Sequence, residues 1–182
     1  TAILAAANPK FGRFDPNKLP GMQFDIPPTI LSRFDLIFPI IDVLDEAKDS
    51  ALAQHLLNIH QKVGSASEAE KTSEMDPLFL RKYVSYARQH IKPLLSVQAS
   101  DRIKELYVES RKRGKAEGAV PITPRQIEGL VRMAEASAKI RLSDSVTIED
   151  AERAIRLTNY VLDKVSRDRE TGRIDADIIA TG

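Results

Sequence analysis

The chain opens on an apolar run, Thr1-Ala2-Ile3-Leu4-Ala5-Ala6-Ala7, that lacks polar alternation and ends at Asn8-Pro9. A short, wholly apolar run before a turn suits a strand buried on both faces, as in a parallel sheet. A sheet cannot begin with its central strand, so the neighbouring strands are expected outside this chain, which reads as a fragment. From Lys10 to Asp25, the residues Gly12, Pro16, Asn17, Pro20 and Gly21 mark a long irregular connection. Phe11 and Phe14 are expected to pack it onto the body, although their alternation with Lys10 and Arg13 would also suit a nucleic-acid surface. Two prolines, Pro27 and Pro28, then set a rigid entry to a corner anchored by Ile30, Leu31 and Phe34, with Arg33 among these hydrophobes. Leu36 to Asp42 reads as a second strand; Pro39 cannot donate a ladder hydrogen bond, which places that strand at an edge.

Beyond the corner the pattern turns helical. Leu52, Leu56 and Ile59 fall at helical spacing and predict a helix over about 45–61. Residues 63–74 are polar, carry no apolar stripe and read as a linker. Four further helices follow. Asp76 caps the first, with Pro77 at its first position and Leu80, Val84, Ala87 and Ile91 as its stripe. The second opens at Ser96, buries Ile103, Leu106 and Tyr107, and is expected to stop at Gly114. Thr123-Pro124-Arg125-Gln126 starts the third with a capping box, and Ile127, Leu130, Val131, Ala134 and Ala138 face inward. The fourth begins at Thr147, with Glu149 and Asp150 favourable in its first turn and Ile155, Leu162 and Val165 on its apolar face. The resulting expectation is a lid-like four-helix bundle followed by an extended tail over 169–182.

Composition narrows the chemistry. Hydrophobic residues make up 42% and charged residues 29% of the chain, a balance that fits a folded globular protein and not a disordered one. A formal net charge of +1 leaves any nucleic-acid surface to be local. The absence of cysteine removes disulfides, thiol catalysis and cysteine-based zinc sites. No apolar run is long enough to span a bilayer, which leads to the expectation of a cytoplasmic protein without membrane partners. His55 and His60 are five residues apart and His90 is isolated, so no metal site is expected. Arg111, Lys112, Arg113 and Lys115 could touch DNA phosphates or simply form a solvated helix end.

Three residues could carry chemistry. Asn8 ends the apolar run, where a parallel sheet presents polar groups to a ligand; it could orient water or a terminal phosphate, or only cap the turn before Pro9. Arg33, on a short corner before a strand, has the placement of an arginine finger, although an arginine judged alone there more often caps a turn or pairs with a carboxylate. Arg125 sits in the first turn of a well-capped helix, where a cation opposes the helix dipole by about 0.3–1 kcal/mol, so a nearby anion is one explanation and a tolerated exposed arginine is the other. All three suit the γ-phosphate of a nucleotide. No G-x-x-x-x-G-K-[ST] occurs in the chain and no apolar strand ends in paired acidic residues.

Ala5-Ala6-Ala7-Asn8-Pro9, then Pro27-Pro28-Thr29-Ile30-Leu31-Ser32-Arg33-Phe34-Asp35-Leu36-Ile37-Phe38, resemble the ATPase module of MCM (minichromosome maintenance) replicative helicases of the archaeal type. Leu80 to Arg88 and Ile122 to Arg132 extend the resemblance in family order over nearly the whole chain. It implies a fold that is α/β plus all-α: the end of an AAA+ parallel sheet, with a buried strand and a Pro-containing edge strand, followed by a four-helix lid. The implied domains are 1–62 as the end of the AAA+ core, 63–75 as a linker, 76–168 as the lid, and 169–182 as a tail or linker to a downstream domain. Asn8 would be sensor 1, Arg33 an arginine finger acting on the neighbouring subunit's ATP, and Arg125 sensor 2, also in trans. ATP and Mg²⁺ are the implied cofactors, with the Mg²⁺ ligands and both Walker motifs expected upstream, so that this chain alone would be inactive. Implied partners are identical subunits in a hexameric ring, single- and double-stranded DNA and other replication-fork proteins, at the nucleoid. A non-catalytic AAA+-derived assembly module and a related AAA+ remodelling ATPase are the alternatives.

Overall fold

The computed structural model describes residues 2–15, 18, 20–41, 44–62, 75–117 and 122–166. It is mostly helical with one small parallel sheet. In chain order the elements are α1 (Pro28–Leu31), α2 (Glu46–Lys62), α3 (Pro77–His90), β1 (Leu94–Leu95), α4 (Val97–Glu117), α5 (Pro124–Ile140), β2 (Ser145–Val146) and α6 (Ile148–Ser166), with a 3₁₀ turn at Pro20–Gln23. The chain divides into two compact units. One comprises the described residues up to Ile41 together with those from Ile91 onward; the other holds α2 and α3.

The core of the first unit lies among α4, α5 and α6. Leu130, Ala134 and Ala138 repeat every four residues along α5 and are completely buried, one apolar stripe of a 3.6-residue helix. They meet Ala99, Ile103 and Leu106 of α4 and Ala151, Ala154 and Ile155 of α6. Alanine at so many contact positions lets the helix axes approach closely. β1 and β2 pair in parallel, Leu94 with Ser145 and Leu95 with Val146, and so bring the starts of α4 and α6 side by side. Two residues per strand carry no alternation that a sequence could reveal.

Helix ends follow local chemistry. The Ser96 hydroxyl accepts from the Ala99 amide at 3.2 Å before α4, and Gln126 Oε1 accepts from the Thr123 N–H at 2.6 Å before α5, with Pro124 at its first position. At the far end of α5 the Ser143 amide donates to Ala138 O and the Leu142 amide to Lys139 O, both at 3.0 Å. With Leu142 at φ 55°, this is a Schellman closure built on a leucine where glycine is the usual choice. The expected stop of α4 at Gly114 does not occur. Gly114 is buried within a helix that runs to Glu117, because packing against α5 and α6 outweighs a mid-helix cost of about 1 kcal/mol.

Several expectations require correction. The run 2–8 forms no strand: its side chains are exposed, Leu4 fully so, and the isolated antiparallel bridge nearby joins Phe24 to Pro9, one residue beyond the run. A strand needs ladder partners, and none is present among the described residues. Residues 36–41 likewise run without a ladder, so the Pro-containing edge strand does not occur among the described residues. Four long helices, α3 to α6, do follow residue 76; α4, α5 and α6 lie in one compact unit and α3 in the other. On α3, Leu80 and Val84 are 48% and 46% exposed and only Ala87 is buried. On α2 the expected stripe of Leu52, Leu56 and Ile59 is exposed as well. The linker over 63–74 and the tail over 169–182 lie outside the described residues.

The connection before α1 is held by one polar side chain. Gln23, 3% exposed, accepts from the Asp15 N–H at 2.6 Å and donates to Asp15 O and Lys18 O, each at 3.0 Å, replacing the loop's lost water contacts. Phe14 packs edge-on against Phe24, with ring centroids 6.0 Å apart. Phe11 does not pack as expected; it is 72% exposed.

Candidate functional site

α1 is a single turn, closed by Leu31 N–H to Pro27 O at 3.0 Å and followed by turns from Arg33 N–H to Ile30 O at 2.9 Å and Phe34 N–H to Leu31 O at 3.0 Å. One turn cannot hold itself in water; this one is anchored by its neighbours. Leu31 is 5% exposed and supplies the apolar foot. Phe34 is half-buried, and Ile30, expected to share the task, is exposed.

The rest of the anchoring is polar and comes from one face of α5. Arg125, Gly129 and Arg132 stand at i, i+4 and i+7, hence on one side of that helix. Arg125 Nη1 donates to Ser32 O and Ser32 Oγ, both at 3.4 Å, two long and weak bonds. Arg132 grips Asp35 with both arms of its fork, Nε to Oδ2 at 3.0 Å and Nη2 to Oδ1 at 2.6 Å. Gly129 makes room for that carboxylate: a Cβ there would lie 2.9 Å from Asp35 Oδ1. The Asp35 carboxylate holds Arg132 above the ordinary guanidinium value, against the opposing effect of desolvation. The Arg132 and Asp35 side chains are 50% and 33% exposed, so the pair contributes at most about 1 kcal/mol to stability.

Three arginines thus meet at the corner with different commitments. Arg132 is neutralised by Asp35 and by Glu128 at 3.5 Å. Arg125, in the first turn of α5, is loosely engaged by the two neutral oxygens of Ser32. Arg33 is exposed and makes no side-chain hydrogen bond or ion pair among the described residues. An uncommitted guanidinium on a clamped corner is a ready donor of paired hydrogen bonds to a phosphoryl group. Beside Arg125 the corner, α5 and α6 border an open pocket of about 290 Å³ whose walls include Phe34, Ile37, Thr158 and Leu162. The Thr158 hydroxyl is buried and has no hydrogen-bond partner among the described residues.

Arg33 and Arg125 are brought to one locus through Ser32. Asn8 is not: it is exposed at the end of the unpaired segment 2–8, and among the described residues the only side chain that bonds Ser32 is that of Arg125. Arg111, Lys112, Arg113 and Lys115 are exposed on the last turns of α4, and Arg113 pairs with Glu109 at 3.4 Å. Among the described residues no group of three or more His, Cys, Asp or Glu could hold a metal ion, and these residues do not fit Mg²⁺. Among the same residues no helix is long and apolar enough to cross a membrane.

Asp35, Gly129 and Arg132 are not evident from sequence pattern alone, because the pair joins positions 97 apart. The one local signal is Gly129, a glycine inside an otherwise strong helical stripe, which costs the helix about 1 kcal/mol against alanine and so points to a close approach.

A family model of the MCM P-loop domain matches residues 1–60, and one of the MCM AAA-lid domain matches residues 78–162. Over its whole length the chain is 42% identical to the minichromosome maintenance protein MCM of Saccharolobus solfataricus and covers 26% of that protein. It is 41% identical to the DNA replication licensing factor MCM4 of Oryza sativa subsp. japonica, again over its whole length and over 21% of the relative. With an uncharacterized MCM-type protein of Methanocaldococcus jannaschii it shares 40% identity over 98% of this chain and 27% of the other. The chain therefore spans about a fifth to about a quarter of the length of these relatives.

Proposed function

We infer that this chain, which belongs to the MCM family, is part of the ATPase motor of a ring-shaped, hexameric replicative DNA helicase. Residues 1–62 end the AAA+ core, 63–75 link it onward, 76–168 form the lid and 169–182 lead out of it. Arg33 serves as the arginine finger. It reaches the ATP held by the neighbouring subunit and stabilises the charge that spreads over the transferred phosphoryl oxygens. Arg125, as sensor 2, adds a second guanidinium to the same neighbouring phosphate. Asn8, as sensor 1, serves the nucleotide of its own subunit and orients the attacking water or the terminal phosphate. Mg²⁺ and the phosphate cradle belong to parts of the subunit outside this chain, which by itself does not hydrolyse ATP. Hydrolysis drives translocation along single- and double-stranded DNA at the replication fork, among other fork proteins and at the nucleoid.

The observation that supports this reading is the state of Arg33: exposed and, among the described residues, uncommitted, on a corner fastened at both Ser32 and Asp35. An arginine that only capped its own turn or paired locally would show that partner. The test uses complete subunits. Rings built wholly of Arg33→Ala subunits are expected to lose ATP hydrolysis. Mixing them with subunits defective in the phosphate-binding loop should restore part of it, because the second kind can supply Arg33 to an intact nucleotide site on the first. Wild-type turnover by rings of Arg33→Ala subunits would refute the role; loss of turnover without complementation would refute action in trans.

A further inference from the structure

We propose that Asp35, Gly129 and Arg132 are positioning residues for Arg33, a latch that makes the corner and α5 one body and presents Arg33 and Arg125 as a fixed pair. The proposal rests on the reading of Arg33 as a residue that acts on a neighbouring subunit's nucleotide.

The corner is too short to set its own orientation. It is a single turn, and its apolar foot, Leu31, resists lifting without defining rotation. Rotation is defined by the polar fastenings on either side of Arg33, at Ser32 and at Asp35. The Ser32 bonds are long, 3.4 Å each, so the Asp35 end carries the constraint. Two nearly parallel bonds from one planar guanidinium to one carboxylate fix an angle as well as a distance, which a single charge–charge contact cannot do. Gly129 sets the depth. With no Cβ in the way, the carboxylate settles against the backbone of α5, where a Cβ would come within 2.9 Å of Oδ1 and 3.3 Å of Cγ. Arg125 lies on the same helix face one turn earlier, so any shift of α5 moves both arginines together. The latch is half-exposed, and surface pairs of this kind add little to stability. Its geometry is therefore more consequential than its strength.

The experiment places Arg132→Ala, Arg132→Lys and Gly129→Ala in complete subunits, with ring assembly followed by size-exclusion chromatography and hydrolysis by steady-state and single-turnover kinetics. Arg132→Ala and Gly129→Ala are each expected to lower kcat by about 10- to 100-fold with KM within about twofold, the signature of a misplaced group in the transition state and not of lost binding. Gly129→Ala is the control for folding, since alanine favours the helix more than glycine does. Arg132→Lys keeps the charge but not the fork and should not rescue. Combined with Arg33→Ala, neither Ala substitution should lower the residual single-turnover rate further, because each acts through Arg33.

The proposal is overturned if both Ala variants turn over within about twofold of wild type, if Arg132→Lys restores full activity, if the losses multiply with that of Arg33→Ala, or if either Ala variant fails to assemble rings. A wild-type rate with Arg33→Ala alone removes the underlying reading instead, an outcome distinct from an inactive Arg33→Ala ring with a fully active Arg132→Ala ring.

Discussion

Replacing Asp150 by alanine removes the one carboxylate that is completely buried among the described residues. It accepts from Ser137 Oγ at 2.7 Å, from the Thr147 N–H at 3.0 Å and from Thr147 Oγ1 at 3.2 Å. Arg141 holds it with both Nε, at 3.2 Å, and Nη2, so the charge ties the end of α5 to the start of α6. Breaking a buried pair by deleting one partner costs about 3–5 kcal/mol. The Arg141 side chain is 41% exposed and can rehydrate, which puts Asp150→Ala near the lower bound, about 3 kcal/mol. Asp150→Asn keeps an acceptor for Ser137 and the Thr147 amide and should cost about 1–2 kcal/mol.

Burial pushes the Asp150 carboxyl up, but the bonds from Arg141, Thr147 and Ser137 more than offset it and hold the group well below the usual carboxylate range. A folded-state value below the unfolded one means that the stabilisation is complete above the unfolded value, near pH 4, and is lost as pH falls towards the folded value. Urea unfolding followed by far-ultraviolet circular dichroism measures both effects. With a slope of about 1–3 kcal/mol/M, the midpoint of Asp150→Ala should fall by about 1–3 M, and the loss of stability from about pH 5 to about pH 3 should be smaller in Asp150→Asn than in the wild type. A midpoint for Asp150→Ala within about 0.3 M of wild type at unchanged slope would refute the reasoning.

Two further outcomes follow from the packing and the loops. Leu130 is a large, fully buried side chain at the centre of α5, and Leu130→Ala should cost about 2–5 kcal/mol, read as a drop in melting temperature; a change below about 1 kcal/mol would mean that the core collapses around the deletion. Gly12 sits at φ 79° with open space where a Cβ would go, so Gly12→Ala should strain only the backbone, by about 1 kcal/mol, and Gly12→Asn by less. Hydrogen exchange at the Lys10 amide, bonded to Gln23 O at 2.8 Å, should accelerate about fivefold in the alanine variant, and an unchanged rate would show that the turn does not need glycine.

Local signals in the chain were legible where the chemistry that fixes an element lies within a few residues. Thr123, Pro124 and Gln126 announce the start of α5, and Asp76 with Pro77 the start of α3. Buried stripes are equally plain on α5 and α6. Gly114 misleads because a stop signal is local while the packing that overrides it is not. The run 2–8 is apolar enough for a buried strand, yet a strand is a property of a ladder, and the described residues provide no partner. Arg33 and Arg125 stand out as charges in unexpected settings, and Ser32 brings them together. What fixes the corner between them, the grip of Arg132 on Asp35, joins two ordinary residues across most of the chain. Only the fold makes them neighbours.

The notch at Gly129 also bears on how such a lid can be rebuilt. Because Asp35 occupies the volume that any other residue at 129 would claim, the corner and the helix cannot be redesigned one at a time. A chimera that takes its corner from one protein and its lid helix from another inherits a working latch only if the acceptor helix carries a glycine at this register, with an arginine one turn further on. Stabilising α5 by filling the glycine, an obvious step for an engineer improving helix propensity, would tighten the helix and unseat the corner in the same stroke.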